Sequence, residues 1–443
     1  MKNRASIENI YHLEGRVPLH NAVAFGLQHV LLMFVANLTP VTMIAASASP
    51  ALESAQVVSL LQNAMLVAGI ATLIQLYPIR KIGSGLPIVM GVSFTFVTAL
   101  SAVGAKYGYP SVIGAVMVGG VFEGVLGFLA RYWHRFIRPI VSATVVTCIG
   151  LSLFPVATRS FAGGYAEDFG SMQNLLLGTV TLVSCLLWTC FAKGYRKRMS
   201  ILFGLIVGYV TAVFMGKVDL SAILSGGVIA LPRILPFKPE FHPGAILSAC
   251  IIFIVSAVET IGDTSALTVG GLNRSVRAEE ISGSLAVDGL ASTFSAVMGC
   301  TPITSFSQNV GLIAMTKVVN RFTIMTGAVC MIFASLFPPI GNFFASVPEP
   351  VFGGCTIMMF GNIMVSGIRM IADAGFSAKN VTTAALALSI GIGFTSPTEN
   401  SLWSGMPQLV QDVFAENCVA VVFVLALILS LVLPENIEWG KNG

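Results

Sequence analysis

Charge is the scarcest commodity in this chain. Of 443 residues, 24 are Lys or Arg and 20 are Asp or Glu, so 10% are charged, against 55% that are hydrophobic. Soluble domains carry about 25% charged residues, and a mean hydropathy of +0.85 does not fit one. Other absences narrow the function. No glycine-rich phosphate loop with its Lys is present, so ATP hydrolysis is not the energy source, which leaves an ion gradient or none. No HExxH, GxSxG or paired His ligands occur in the apolar segments, which argues against a membrane enzyme. The eight Cys form no CxxC pair and fall in or beside apolar segments, so they read as small core residues rather than disulfides or metal ligands. No cofactor and no metal is expected. The opening MKNRASIENIYHLEGRVPLH has no apolar core, so no cleavable signal peptide is expected and the first hydrophobic segment reads as the first span.

What is present is a series of long apolar stretches such as 21–41 and 416–434, each past the roughly 18 residues that cross a bilayer. Cutting at charged and Pro/Gly-rich breaks gives an all-α polytopic membrane protein of about 14 spans, the eleventh expected over 322–344 and the last over 414–433. Loops after even-numbered spans, together with the two termini, hold 19 of the 24 basic residues, and loops after odd-numbered spans hold five. That asymmetry puts both termini in the cytoplasm. The third span (85–102) and the tenth (304–316) are the weakest. GSGLPIVMGVSFTFV (83–97) and GCTPITSFSQNVG (299–311) are short, interrupted and rich in Ser and Thr. They sit third in each half of a seven-plus-seven arrangement, and an odd repeat inverts the second half. Paired interrupted segments of this kind point to a transporter's binding site, because irregular backbone inside a membrane must be buried in protein or line a cavity.

Few ionisable groups fall within spans. Glu259 lies about 15 residues, roughly 22 Å, into the eighth span, and Asp263 follows on the same helical face. Asp288 is in the ninth span, His29 in the first beside Gln28, and Glu123 in the fourth. A buried carboxylate costs a few kcal/mol and must face the interior with a partner. Substrate binding or proton relay is the functional reading; a hydrogen-bonded acid that braces helices is the bland one. The functional reading is favoured for Glu259 and Asp288, Asp263 is balanced, and His29 and Glu123 lean towards a structural role. Gln308 and Asn309 offer amides, each a donor beside an acceptor, which match the edge of a flat oxygenated heterocycle. Glu259 would accept ring N–H groups, and Phe94 and Phe306 would stack on the ring.

QNVGLIAMTK (308–317) fits every position of the signature of the nucleobase–ascorbate transporters, or nucleobase:cation symporters: Gln, Glu or Pro, then Asn-x-Gly-x-x-x-x-Thr and a basic residue or Gly. Gln28-His29, the ETIGD of the eighth span and the acid of the ninth match as well, and the chain resembles this family from about residue 17 to 433. The resemblance implies two inverted seven-span repeats with short extended strands in spans three and ten. A core domain (17–130 and 240–345) would move against a gate domain (131–216 and 346–433) in an elevator-like exchange, usually within a homodimer. It implies substrate anchoring by Glu259 and Gln308, backbone donors at Phe94 and Ser307, a selectivity position at Ser93, and roles in coupling or site integrity for Asp288, His29, Asp263 and Asn309.

Gln308 and Asp263 match the xanthine- and urate-type branch; uracil-type members tend to carry Glu and often His there. The expected function is proton symport of xanthine or urate into the cell across the inner or plasma membrane, with sodium the less favoured ion. Ser93 departs from the Asn or Thr of some purine members and leaves xanthine against urate open. The alternatives are a uracil or other pyrimidine symporter and, further off, an anion transporter of the same architecture. Anion carriers of the sulfate type normally carry a C-terminal regulatory domain, whereas this chain ends about ten residues after its last span. A site centred on Glu259 would also repel anions. No nucleic acid is an expected partner.

Overall fold

The computed structural model describes residues 6–133, 136–193, 197, 199–218, 223, 227, 229–396, 402–415 and 417–434. Of the basic residues in the charge count, Lys2, Arg4, Arg135, Arg196, Arg198 and Lys441 lie outside them. The elements run α1 (Leu19–Ser47), α2 (Ser54–Leu76), β1 (Met90–Val92), a 3-10 turn (Phe94–Phe96), α3 (Val97–Tyr107), α4 (Tyr109–Phe128) and α5 (Ala130–Trp133). Then come α6 (Pro139–Ser152), α7 (Phe154–Ala162), α8 (Met172–Phe191) and α9 (Ser200–Phe214). The second half holds α10 (Pro243–Leu272), α11 (Ala278–Val297), β2 (Ile303–Ser305), α12 (Ser307–Thr316), α13 (Arg321–Ser335) and α14 (Pro338–Ala345). It closes with α15 (Glu349–Ala374), α16 (Ala378–Phe394), α17 (Gln408–Phe414) and α18 (Cys418–Val432).

Helix starts follow local chemistry. Proline occupies the first turn of α4, α6, α10, α14 and α15, where no carbonyl awaits its missing N–H. Ser171, Asn320 and Ser377 cap α8, α13 and α16 through their side chains. Among the described residues, seven helices are long and apolar enough to cross a membrane, or nine if two bent pairs are each taken as one span.

Those bends correct the sequence reading. The segment expected to run unbroken over 322–344 turns by 83° between α13 and α14, because Phe337 precedes Pro338 and is pushed out of helical geometry. The last span, expected from residue 414, starts at Cys418 instead; α17 precedes it at 94°, and Asn417 caps the new helix by accepting from Ala420 N at 3.1 Å.

The two interrupted segments meet in the interior. β1 and β2 pair antiparallel, Met90 opposite Ser305, Gly91 opposite Thr304 and Val92 opposite Ile303. Bonds from Ser93 N to Pro302 O (3.3 Å) and from Phe306 N to Val89 O (2.9 Å) extend the ladder. A two-stranded sheet leaves two edges, and side chains bond to both. Val92 N donates to Asn37 Oδ1 at 2.6 Å and Met90 N to Thr72 Oγ1 at 2.9 Å. On the other edge Ser292 Oγ accepts from Ile303 N and donates to Ile303 O. Buried backbone without such partners is not tolerated away from water. Gly91 is required by space: a Cβ there would lie 2.9 Å from the Phe306 ring and 3.0 Å from Asn37 Oδ1.

Candidate functional site

The ladder aims two helix starts at α10. The 3-10 turn, which α3 continues, begins two residues after β1, and α12 begins two residues after β2. Phe94 and Ser307 open these turns, so their amides have no carbonyl one turn back to bond. Across from them, Glu259 of α10 takes one hydroxyl from each segment: Thr95 Oγ1 donates to Oε2 at 2.6 Å and Ser307 Oγ to Oε1 at 3.1 Å. One turn on, Asp263 Oδ2 accepts from Ser307 Oγ (2.8 Å) and Ser305 Oγ (2.9 Å). Ser305 Oγ is 3.0 Å from Thr260 Oγ1, which bonds Asp288 Oδ2 of α11. Three carboxyls and four hydroxyls from five elements thus form one connected network. Among the described residues no Lys, Arg or His is ion-paired with these acids, and no group of acids, His and Cys could hold a metal ion.

Hydrogen counting constrains its protonation. The network has six contacts but four hydroxyls, each with a single hydrogen. Ser307 touches both Glu259 and Asp263 with one O–H. Two contacts therefore gain a hydrogen only when carboxyls carry protons.

Other expected residues sit in separate arrangements. His29 Nδ1 is 3.0 Å from Asn309 Oδ1, a buried pair that ties α1 to α12. Gln308, on the first turn of α12, is half-buried and its side chain makes no hydrogen bond among the described residues. Ser93 Oγ accepts from Thr95 N at 3.2 Å and caps its own turn. Phe94 packs edge-on against Phe360 of α15, ring centroids 5.2 Å apart, and Phe306 is buried with its ring against Gly91. Glu123 on α4 is completely buried, and neither carboxyl oxygen has a hydrogen-bond partner among the described residues.

The sequence reading missed Thr95, Thr260, Ser305 and Asn37. A signal was available: buried carboxylates need donors, and in a chain this poor in cations the Ser and Thr of the interrupted segments are the ones at hand.

Apolar helices around an interior pair of interrupted segments, with a buried acid–hydroxyl cluster, fit a multi-pass membrane transport protein. Comparison with known proteins places it further. Residues 20–400 match the model of the xanthine/urate permeases, described as a permease family, and the chain belongs to this nucleobase–ascorbate transporter family. It is 32% identical over 449 residues to the xanthine permease XanQ of Escherichia coli, covering 98% of this chain and 95% of that protein. It is 34% identical over 385 residues to the uric acid permease PucK of Bacillus subtilis, covering 85% and 88%. The nucleobase transporter PlUacP of Paenibacillus larvae is 35% identical over 405 residues, covering 90% and 91%.

Among solved structures, the transmembrane domain of the cyanobacterial bicarbonate transporter BicA aligns with a TM-score of 0.54 at 11% identity, covering 93% of this chain and 97% of that one. The murine anion transporter Slc26a9 aligns at 0.55 and 11%, covering 91% and 68%. At such identities the likeness is one of fold. Anion carriers share the architecture, and the sequence family separates this chain from them.

Proposed function

We propose that this chain imports a purine nucleobase, xanthine or urate, together with a proton. One observation carries the reading: Glu259 is fixed by one hydroxyl from each interrupted segment, so its carboxylate is preset at the point where both helix starts converge. There it accepts ring N–H groups, while Gln308, whose side chain has no hydrogen bond among the described residues, reads an amide edge with its donor–acceptor pair. The amides of Phe94 and Ser307 donate to ring carbonyl oxygens. Relatives named for xanthine and uric acid support a purine over uracil.

Fourteen spans in two inverted repeats, cytoplasmic termini, an inner- or plasma-membrane location and a homodimer belong to the same proposal. So does an elevator-like exchange of a core (17–130 and 240–345) against a gate (131–216 and 346–433). Packing supports that division: α4 lies along α10 and α11, and α13 along α1 and α2, while α15 lies along α6, α7 and α8. Phe94 against Phe360 is a contact between the two proposed bodies beside the site.

The test is uptake of radiolabelled xanthine, urate, hypoxanthine and uracil in a strain lacking its own nucleobase carriers, with and without a protonophore. Saturable purine uptake that collapses with the protonophore is expected. Uracil uptake without purine uptake would overturn the substrate assignment.

A further inference from the structure

Glu123 is a buried acid that the substrate reading leaves unused, and unlike buried Glu280, which Arg274 and Arg277 hold, it has no ion-pair partner among the described residues. It lies on α4 where that helix packs backbone to backbone against α11. A Cβ on Gly289 of α11 would fall 2.1 Å from Gly124 N and 2.5 Å from Gly120 O, so the two backbones touch. The contact sets Glu123, beside Gly124, near Asp288, beside Gly289. The described charges that act on Glu123 are Asp288 of α11 and Glu259 of α10, both acidic, and its polar neighbour on α10 is Ser256. Both Glu123 oxygens, Asp288 Oδ1 and Ser256 Oγ are buried without a hydrogen-bond partner among the described residues. A carboxylate placed so, against a second acid, with no cation and only the Ser256 hydroxyl beside it, is far costlier than the neutral acid.

We propose that Glu123 is a proton-binding residue and the remote end of a relay that runs through Asp288 to Glu259. The hydrogen count gives the relay a direction. With Asp263 and Asp288 protonated on Oδ2 and Glu259 ionised, each of the six contacts holds one hydrogen. The order of donation is then Asp288 to Thr260, Thr260 to Ser305, Ser305 to Asp263, Asp263 to Ser307 and Ser307 to Glu259. Passing a proton from Glu123 to Asp288 and shifting each hydrogen one place onward puts a proton on Glu259 and leaves Glu123 as the carboxylate. No hydrogen is gained or lost. Protonated Glu259 no longer serves as an acceptor-only carboxylate for ring N–H groups, so arrival of the proton loosens the base. A proton loaded with the substrate at a distance from it thereby becomes the signal for release. This inference rests on the proton-coupled reading of the same site.

The test is infrared difference spectroscopy of the purified full-length protein in H2O and D2O, beside transport in proteoliposomes. The wild type should show exchangeable protonated-carboxyl bands at neutral pH, and Glu123→Gln should lack one of them. The same variant should bind purine within about threefold of wild type and sustain substrate exchange, yet lose at least tenfold in pH-driven accumulation. Ser256→Ala, which changes only the neighbouring hydroxyl, should shift the Glu123 band, and this covers the case in which Glu123→Gln fails to fold. Absence of any protonated-carboxyl band in the wild type would overturn the proposal. So would an unaltered spectrum in Ser256→Ala, or an unaltered spectrum and accumulation in Glu123→Gln. A wild type that binds purine but accumulates it without a proton gradient would instead refute the coupling reading, which separates the two failures.

Discussion

Replacing Glu259 by Gln separates what the side chain does for the fold from what it does for the ligand. In the structure the carboxylate has two internal partners, Thr95 Oγ1 at 2.6 Å and Ser307 Oγ at 3.1 Å. A glutamine amide keeps an oxygen for one hydroxyl and turns its NH2 to the other, and a hydroxyl accepts as readily as it donates. Both internal contacts survive, and a buried charge is removed. Thermal stability should therefore equal that of the wild type or exceed it slightly. The ligand fares differently, because a ring N–H that met a carboxylate now meets a donor. A hydrogen bond to a charged group is worth about 1.5–3 kcal/mol, which converts to a Kd weakened about 10- to 150-fold for each such bond. Calorimetric titration of xanthine into detergent-purified protein, with a melting curve on the same sample, reads both quantities. A variant with the wild-type Tm and a Kd within threefold of wild type would refute the placement of Glu259 at the substrate. A collapsed Tm would refute the claim that its internal contacts tolerate an amide.

Gln308→Glu places a third acid near Glu259 and Asp263, and nearby carboxylates disfavour joint ionisation; purine affinity should fall tenfold or more by titration, and an unchanged Kd would mean that Gln308 only braces α12. Gly91→Ala drives a methyl into Phe306 and Asn37 at about 3 Å; overpacking of this kind costs about 1–3 kcal/mol, so a lowered Tm and reduced purine binding should appear together. Lys106 of α3 pairs with Asp412 of α17 at 2.6 Å, and Tyr107 adds a bond at 2.9 Å, beside a cavity of about 190 Å³ between α3, α10 and α17. Lys106 is half-exposed, and such pairs are worth about 0.2–1 kcal/mol. If α3 and α17 part during transport, Asp412→Asn should change the exchange rate by up to about fivefold and leave equilibrium Kd alone, as tracer exchange and titration would show.

Much of this arrangement was legible before any coordinates. The interrupted spans announced themselves because Pro, Gly and hydroxyl residues crowd together there in short segments, and the resulting strands lie at 90–92 and 303–305. Glu259 and Asp263 stood out by their rarity, and i,i+4 spacing alone put them on one face. What stayed hidden was the pairing between distant hydroxyls and acids. Thr95 meets Glu259 across 164 positions of chain and Ser305 meets Asp263 across 42, and no local pattern encodes such a meeting. The bend at Pro338 was missed for a different reason. Hydropathy is blind to direction, so two short apolar helices at 83° look like one long span.

The strand ladder also has a consequence for how this protein is made. β1 emerges from the ribosome more than 200 residues before β2. The N–H groups of its outer edge are met by Asn37 and Thr72, which precede it in the chain, so those donors are satisfied at once. The inner edge is not, and hydrocarbon offers its amides and carbonyls nothing to bond. The first half is thus an unfinished object during synthesis, its exposed backbone a mark that quality-control proteases can read. Severed between α9 and α10, the two halves should be rescued only by making both in one cell, where each completes the other's sheet.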